Sequence, residues 1–155
     1  MKVFVGLGFD IHKFSKERKN LVLGGVKIDY PYGLEAVSDG DVILHSISDA
    51  ILGALSQGDI GDYFSPQNTP QDMDSKKIVN FVLKKLGRKK ILNIDITLIL
   101  DRPRISSYKK MIVGSLKKIF KANRINLKIK SKEGTDFLGG KNSIVCISLV
   151  SLVEC

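Results

Sequence analysis

The chain has 2 histidines, and the residues around each of them could bind a metal. Asp10 and His12 are two positions apart in "GFDIHKF", and His45 ends the segment "SDGDVILH". Two imidazoles and one carboxylate are a known ligand set for catalytic zinc, which keeps a fourth position open. Asp41 and Asp49 lie one helical turn either side of His45 and could orient its other ring nitrogen. These residues suggest a metal site, but ordinary surface histidines without a metal are the alternative.

Three further segments contain residues that could bind an anion, a sugar or a second metal. Ser38 or Asp39 could cap the helix after "SDGD", leaving its first amide groups free for a phosphate. Asp59 lies between glycines in "GDIG" and could hold a ribose. Glu133 lies among lysines in "KSKEG" and could hold a metal and phosphates. An ordinary helix cap or turn is the alternative for each segment.

Gly6 and Gly8, in "VFVGLGFDIHKF", do not form a dinucleotide-binding loop, because that motif needs a third glycine between a strand and a helix. A glycine inside a strand often marks the close approach of another group. Space for a metal and its phosphate is one interpretation, and tight packing against a neighbouring chain is the other. We favour packing.

The elements that position these residues follow from the hydrophobic pattern. Residues 2 to 14 alternate, which predicts a strand with one buried apolar face (Val3, Val5, Leu7, Phe9, Ile11) and with Asp10 and His12 on the other face. Residues 21–30 predict two short strands around a glycine turn, and 57–72 a loop. Helices are expected at 40–56, 74–86 and 105–121, with His45 opposite the apolar stripe of the first and Met111 on the inner side of the third. Strands are expected at 91–100 and 125–130, and a last strand, apolar on both faces, should be central. The fold class is therefore α+β, a single mixed-sheet domain covering 1–155.

Composition limits the function only loosely. The net charge of +9 suits a nucleic acid, an acidic membrane surface or a phosphorylated substrate. No apolar run approaches the ~20 residues that span a bilayer, and a signal-peptide pattern is missing. Cys146 and Cys155 have no metal-ligand spacing, which fits a reducing cytoplasm. A transit segment already removed would leave no trace.

Taken in order, the segments resemble the 2-C-methyl-D-erythritol 2,4-cyclodiphosphate synthase family over nearly the whole chain. The resemblance is carried by "GFDIHKF", "LGGVKI", "GLEAVSDGDVILHSISDAILGAL", "GDIGDYF", "DITLILDRPRI" and "INLKIKSKEGTDF". It implies conversion of 4-diphosphocytidyl-2-C-methyl-D-erythritol 2-phosphate to the cyclic diphosphate with release of CMP, in the non-mevalonate route to isoprenoids. The substrate's own 2-phosphate would be the nucleophile.

The same resemblance implies cofactors and site residues. Zn²⁺ would bind to Asp10, His12 and His45, and Mg²⁺ or Mn²⁺ to Glu133. Catalytic roles are implied for Ser38, Asp49, Ser131 and Glu133. Substrate contacts are implied for Asp10, His12, Val37, Ser38, Asp59, Ile60, Gly61, Phe64, Leu100, Asp101, Arg102, Pro103, Arg104, Ile105, Lys130, Ser131, Lys132 and Phe137.

The resemblance also implies a homotrimer with helices on one face of each sheet, sheets facing a central core, and active sites between subunits. A hydrophobic or isoprenoid ligand would lie in the central channel, and neither a nucleic acid nor a membrane would be a partner. The implied location is the bacterial cytoplasm, or a plastid-type organelle if a transit segment was removed.

Four departures from the family pattern are visible. Val37 replaces a histidine, and residues 65–68 lack a carboxylate that the family usually has there. The segment 130–132 replaces two threonines with Lys-Ser-Lys, and Gly140 and Asn142 replace an Arg and a Glu of the trimer channel. We expect changed substrate affinity and channel binding, but an active enzyme, because the metal ligands are intact.

Two other functions stay open on the residues alone. A zinc hydrolase would use metal-bound hydroxide with Asp49 or Glu133 as a base. A basic nucleic-acid-binding module would place exposed aromatic residues among clustered Lys and Arg. The second is disfavoured, because most Phe and Tyr residues fall in apolar stripes or beside the predicted site.

Overall fold

The sheet has four strands and mixed direction. The computed structural model describes all 155 residues, and its sheet consists of β1 (Lys2–Lys13), β4 (Lys90–Ile99), β5 (Ile125–Lys130) and β6 (Ser143–Glu154). The strand order is β1-β6-β4-β5, with β6 antiparallel to both neighbours and β4 parallel to β5. A separate antiparallel hairpin joins β2 (Leu21–Leu23) and β3 (Val26–Ile28). The prediction that the last strand is central is confirmed.

Three helices complete the α+β domain: α1 (Val42–Ala54), α2 (Lys76–Lys84) and α3 (Lys109–Phe120). α1 packs directly on β1 and β6, and α2 packs on α1. The predicted helices are present but shorter, and 106–108 forms a 3-10 turn ahead of α3. None of the helices has both the length and the hydrophobicity needed to cross a membrane.

The helix α1 is buried on almost all sides. Ile47 and Ile51 are fully buried, as the apolar stripe predicted, and each such side chain stabilises the fold by about 1.5–3 kcal/mol. His45 is only 5% exposed, however, and Ser48 is fully buried. The side of α1 opposite its apolar stripe is therefore buried as well, because α2 and a 3-10 turn at 60–62 cover that side. On that side the ring of His45 finds hydrogen-bond partners within the protein, whereas the hydroxyl of Ser48 has none.

The expected burial of the apolar face of β1 is also wrong within this chain. Val5 and Leu7 are 58% and 65% exposed, and Val3, Phe9 and the neighbouring Leu149 of β6 are exposed as well. The alternation itself is as predicted, but the helix packs on the other face. That face has Gly6 and Gly8, and only a strand without side chains there lets the backbone of α1 come so close.

The third helix shows one more error of this kind. Ile112 and Leu116 are buried as expected, but Met111 is 60% exposed and does not face the core. A methionine on the flank of an amphipathic helix fits the apolar pattern without being buried.

Candidate metal centre and active-site cavity

Three metal-ligand side chains meet between β1 and α1. The Oδ2 of Asp10 is 2.9 Å from Nε2 of His12 and 3.1 Å from Nδ1 of His45. The two histidine nitrogens are 3.4 Å apart. Ligand atoms 2.0–2.2 Å from a tetrahedral zinc are about 3.3–3.6 Å from each other, so these three atoms fit one ion with small outward movements. The predicted triad is confirmed as a group that could hold a divalent metal.

The sequence places the triad through two simple devices. Asp10 and His12 are two apart on a strand, so they share a face. His45 comes from the first turn of α1, which lies against that face because Gly8 has no side chain. An added Cβ at Gly8 would overlap the carbonyl of Ser46 and lie 2.8 Å from the amide nitrogen of Ala50. The glycines therefore make space for a helix and not for a metal or phosphate, and packing is within the same chain.

The charges of the triad are coupled. Burial alone would raise the pKa of Asp10, but hydrogen bonds and charge attraction from His12 and His45 outweigh it and lower that pKa. Burial would lower the pKa of His45, but Asp10 overcomes this and raises it. The metal-free site therefore favours carboxylate with imidazolium, and a bound cation would replace the proton on His45.

A cavity of about 200 Å³ opens beside the triad. Its lining includes six residues that the sequence analysis associated with substrate, two of them metal ligands. The lining residues are Asp10, His12, Ala36, Val37, Ser38, His45, Ile60, Phe64, Pro66, Thr69 and Ile78. Asp59 caps the adjoining 3-10 turn that contains Ile60 and Gly61. The structure thus brings Val37, Ser38, Ile60 and Phe64 together with the metal ligands.

A second cavity of about 500 Å³ shares no lining residue with the first, and Asp101 is the predicted substrate residue that lines it. Asp101 lines it and accepts the backbone N–H of Lys132 at 2.9 Å. Arg102 donates to the carbonyl of Lys141 at 2.9 Å, and Ser131 donates to Glu133 at 2.8 Å. The predicted site is therefore split into two groups within one chain.

The other predicted substrate residues near positions 100–105 and 130–137 differ in how far their side chains are exposed. The side chains of Leu100 and Ile105 are buried. The N–H of Leu100 donates to the carbonyl of Lys130 at 2.9 Å, and the carbonyl of Ile105 accepts the N–H of Tyr108 at 2.9 Å. Pro103 is half-buried, Arg104 and Lys130 are exposed, and Phe137 is 49% exposed.

A contact between substrate and the Lys132 ammonium is not compatible with this structure. Lys132 is 3% exposed, and its Nζ donates to the carbonyls of Leu138, Gly140 and Ser143, at 3.2, 2.6 and 3.0 Å. The hydrogen bonds of the ammonium go to the loop 137–142 and its flank, and the group faces neither the metal site nor solvent. Its backbone groups are also occupied, because the N–H donates to Asp101 and the carbonyl accepts from the N–H and the hydroxyl of Thr135.

Asp41 and Asp49 do not orient His45, contrary to the sequence-based expectation. Asp41 is fully buried and accepts the N–H groups of Gly24, Gly25 and Leu44, at 2.9, 2.7 and 3.0 Å. It is thus the cap of α1, a role that had been predicted for Ser38 or Asp39. Because Asp41 already occupies this helix end, a phosphate would not bind there. Burial raises the pKa of Asp41 to about 6.

Asp49 instead supports the cavity wall. Its Oδ1 accepts the N–H of Ile60 at 2.8 Å, which ties α1 to the 3-10 turn at 60–62. Burial raises the pKa of Asp49 to about 6. This carboxylate positions a loop and does not contact either histidine ring.

Sequence reasoning missed two residues that hold the site. Lys19 donates through Nζ to the carbonyls of Leu34, Ala36 and Ser38, at 3.1, 3.4 and 3.2 Å, and so fixes the loop beside the cavity. Ser75, which directly precedes α2, lies 2.8 Å from Nε2 of His45. A lysine in a surface loop and a serine before a helix give no local signal of such contacts.

The fold and this donor set define a small α+β protein with a divalent-metal site at the edge of a cavity. The chain belongs to the YgbB family, whose model matches residues 3–153. The 2-C-methyl-D-erythritol 2,4-cyclodiphosphate synthase of Wigglesworthia glossinidia brevipalpis is 44% identical over 158 residues, with 97% of this chain and 98% of that protein covered.

A solved structure of IspF from Plasmodium falciparum in complex with CDP is similar to the chain with a TM-score of 0.84. It is 35% identical, with 98% of this chain and 96% of that chain covered. The bifunctional enzyme IspD/IspF of Aliarcobacter butzleri is 40% identical over 156 residues and 96% of this chain. The chain spans only 41% of that bifunctional relative's length.

Proposed function

We propose that residues 1–155 form a single catalytic domain of 2-C-methyl-D-erythritol 2,4-cyclodiphosphate synthase activity. It would convert 4-diphosphocytidyl-2-C-methyl-D-erythritol 2-phosphate to the cyclic diphosphate and CMP, as a phosphorus–oxygen lyase of the non-mevalonate isoprenoid route. The observation that carries the proposal is the convergence of Asp10, His12 and His45 beside a cavity lined by Ser38 and Ile60, in a chain of this family.

The chemistry asks the protein mainly to hold two phosphates in line. An oxygen of the substrate's 2-phosphate forms a bond to the β-phosphorus while the bond from that phosphorus to the CMP oxygen breaks, and CMP leaves with the electron pair. Fixed geometry supplies effective concentration, so no side chain needs to be a nucleophile. The hydroxyl of Ser38 would donate a hydrogen bond to a phosphate oxygen. Asp59 and Gly61 would bind the hydroxyl groups of the sugar portions.

Two cations are part of the proposal. Zinc held by Asp10, His12 and His45 would supply positive charge and an open coordination position for a phosphate oxygen. Mg²⁺ or Mn²⁺ would be held with the diphosphate by Glu133, whose partner Ser131 is 2.8 Å away and fixes one carboxylate oxygen. The excess of basic side chains suits a substrate with several negative charges.

A homotrimer with the active site between subunits would join the two cavities. Asp101 is the implied substrate contact that lines the second cavity, whereas the first cavity is lined by six such residues, and no residue of the triad lines the second one. The exposed apolar face of β1, with Val5 and Leu7, would be covered in a trimer whose sheets face a central core. Light scattering of the purified chain tests this, and a monomer that turns over substrate would contradict it.

The proposal also includes a channel ligand and a cellular location. A hydrophobic or isoprenoid ligand would occupy the channel between the three sheets. Cys146 and Cys155 are free thiols, which agrees with a reducing compartment such as the bacterial cytoplasm.

The decisive experiment is turnover followed by phosphorus NMR. The chain, loaded with zinc, is incubated with the nucleotide-linked substrate and Mg²⁺ or Mn²⁺, and cyclic diphosphate with CMP is expected. Linear phosphates formed by water would instead support a zinc hydrolase. Asp10→Asn should lose zinc and activity together. Asp95→Asn, an equivalent change at an exposed aspartate of β4, should keep both.

A further inference from the structure

The two ring nitrogens of His45 face different surroundings. Nδ1 faces the triad, 3.1 Å from Asp10 and 3.4 Å from His12. Nε2 faces away from it, 2.8 Å from the hydroxyl of Ser75 and 3.3 Å from that of Ser38. A neutral imidazole has a proton on one nitrogen and a lone pair on the other, so the partners of Nε2 decide which nitrogen can bind a metal.

The hydroxyl of Ser75 can only accept from His45. Its Oγ makes a very short hydrogen bond to Oδ1 of Asp39, and a carboxylate has no proton to donate. The hydroxyl proton therefore points to Asp39, and Oγ presents a lone pair to the ring. The ring must in turn donate from Nε2, so Nδ1, which faces Asp10 and His12, is the nitrogen that can lose its proton and bind a metal.

Asp39 is itself held in place, so the chain of hydrogen bonds is rigid. Its Oδ2 accepts the backbone N–H of Ser75 at 3.1 Å, and its Oδ1 accepts that of Asp41 at 3.1 Å. Its own N–H donates to the carbonyl of Met73 at 3.0 Å. Ser75 is fully buried and His45 nearly so, which keeps competing water away. No local sequence pattern joins these residues, because 36 positions separate Asp39 from Ser75.

We infer that Ser75, backed by Asp39, is a positioning residue that keeps the proton of His45 on Nε2 and thereby presents Nδ1 to the metal. Metal-binding histidines are commonly oriented by a carboxylate or carbonyl on the far nitrogen, and here a serine lies between the carboxylate and the ring. The inference rests on the proposed metal site, and it adds a hydrogen-bonding requirement that the three ligands alone do not include.

Zinc affinity tests the inference without reference to turnover. Ser75→Ala should bind zinc about 10–100-fold more weakly than the unchanged protein, measured by competition with a chromophoric chelator. Cobalt substituted into the same site should show altered visible absorption bands. Ser48→Ala is the matched control, because Ser48 is another fully buried serine near His45 whose hydroxyl has no hydrogen-bond partner. Its zinc affinity and cobalt spectrum should not change.

A double-mutant cycle separates the relay from a general loss of packing. Asp39→Asn combined with Ser75→Ala should bind zinc no more weakly than Ser75→Ala alone, because the two residues act through one hydrogen bond. Additive losses would overturn the relay. Equal zinc affinity and identical cobalt spectra in Ser75→Ala and the unchanged protein would overturn it as well.

The tautomer can be read in the unchanged protein, which avoids any variant that fails to fold. Long-range ¹H–¹⁵N correlation spectra of the zinc-loaded chain should show the proton of His45 on Nε2. A proton on Nδ1 would overturn the inference. If the chain binds neither zinc nor cobalt, the metal site and this inference fall together, whereas zinc binding without turnover refutes only the proposed reaction.

Discussion

Replacing Gly8 with alanine should damage the metal centre without touching a ligand. A Cβ at Gly8 would overlap the backbone carbonyl of Ser46 and lie 2.8 Å from the nitrogen of Ala50. Neither atom can rotate aside, since both belong to the helix backbone. To restore ordinary contact distances, α1 must move from β1 by on the order of 1 Å. His45 precedes Ser46 directly and would move with it.

The structure sets the size of both effects. Overpacking of a buried site typically costs about 1–3 kcal/mol, and a clash with rigid backbone should lie at the upper end. For a chain of this length, about 3 kcal/mol corresponds to a fall in Tm of roughly 6–12 °C. Zinc sites tolerate ligand displacements of only about 0.2 Å, so a shift of His45 by several times that amount should weaken zinc binding by at least about a hundredfold.

The assay compares Gly8→Ala with Gly114→Ala at fixed protein concentration. Gly114 lies in α3, and nothing is within 4 Å of the position that its Cβ would take. Alanine is favoured over glycine in a helix by about 0.5–1 kcal/mol, so this control should be unchanged or slightly more stable. Zinc affinity and thermal unfolding are measured for both. Unchanged zinc affinity in Gly8→Ala would refute the link between strand–helix spacing and the metal site.

Three further changes test other parts of the site. Burial raises the pKa of Asp49 to about 6 from an ordinary 3.8. The contribution of this carboxyl to the stability of the metal-free protein should therefore fall as pH rises from about 4 to 6. Asp49→Asn should make the pH dependence of the melting temperature less steep over that range. Lys132→Met should lower the free energy of unfolding by about 2–4 kcal/mol in urea titrations, because carbonyls such as that of Gly140 lose their donor. Glu133→Gln should raise the Mg²⁺ or Mn²⁺ concentration needed for half-maximal turnover without changing zinc content, and an unaltered titration would count against its role.

The sequence predicted well which metal-binding residues share an element face, and poorly which elements pack around them. The two-residue period of β1 brings Asp10 and His12 to one face in any strand. The pattern left a metal site with His45 and ordinary surface histidines as alternatives, and the fold decides between them by bringing His45 to the same place. Which face is buried depends on what packs there, and the glycines that admit α1 were informative only as a sign of close approach. Leu7 is exposed for the same reason, since none of this chain's own helices packs on its face of β1.

Long-range hydrogen bonds explain the rest of the discrepancies. A buried aspartate such as Asp41 has to find its N–H donors wherever the fold brings them, here in the turn between β2 and β3. The same applies to Asp39 and Ser75, which meet only because α2 starts beside the loop before α1. Propensity and periodicity describe the helix or strand that contains a residue, whereas the hydrogen-bond partners of Asp41 and Asp39 lie in other parts of the chain.

Two departures from the family pattern are joined in space. The cation expected at position 140 is missing, but the ammonium of Lys132 enters the same loop from the end of β5 and lies 2.6 Å from the carbonyl of Gly140. Burial lowers the pKa of Lys132, and the carbonyls of the loop offset that cost. The ammonium of Lys132 is therefore held inside the loop and is not presented to a substrate. The polar contacts that a substrate could make with 130–132 are left to residues 130 and 131.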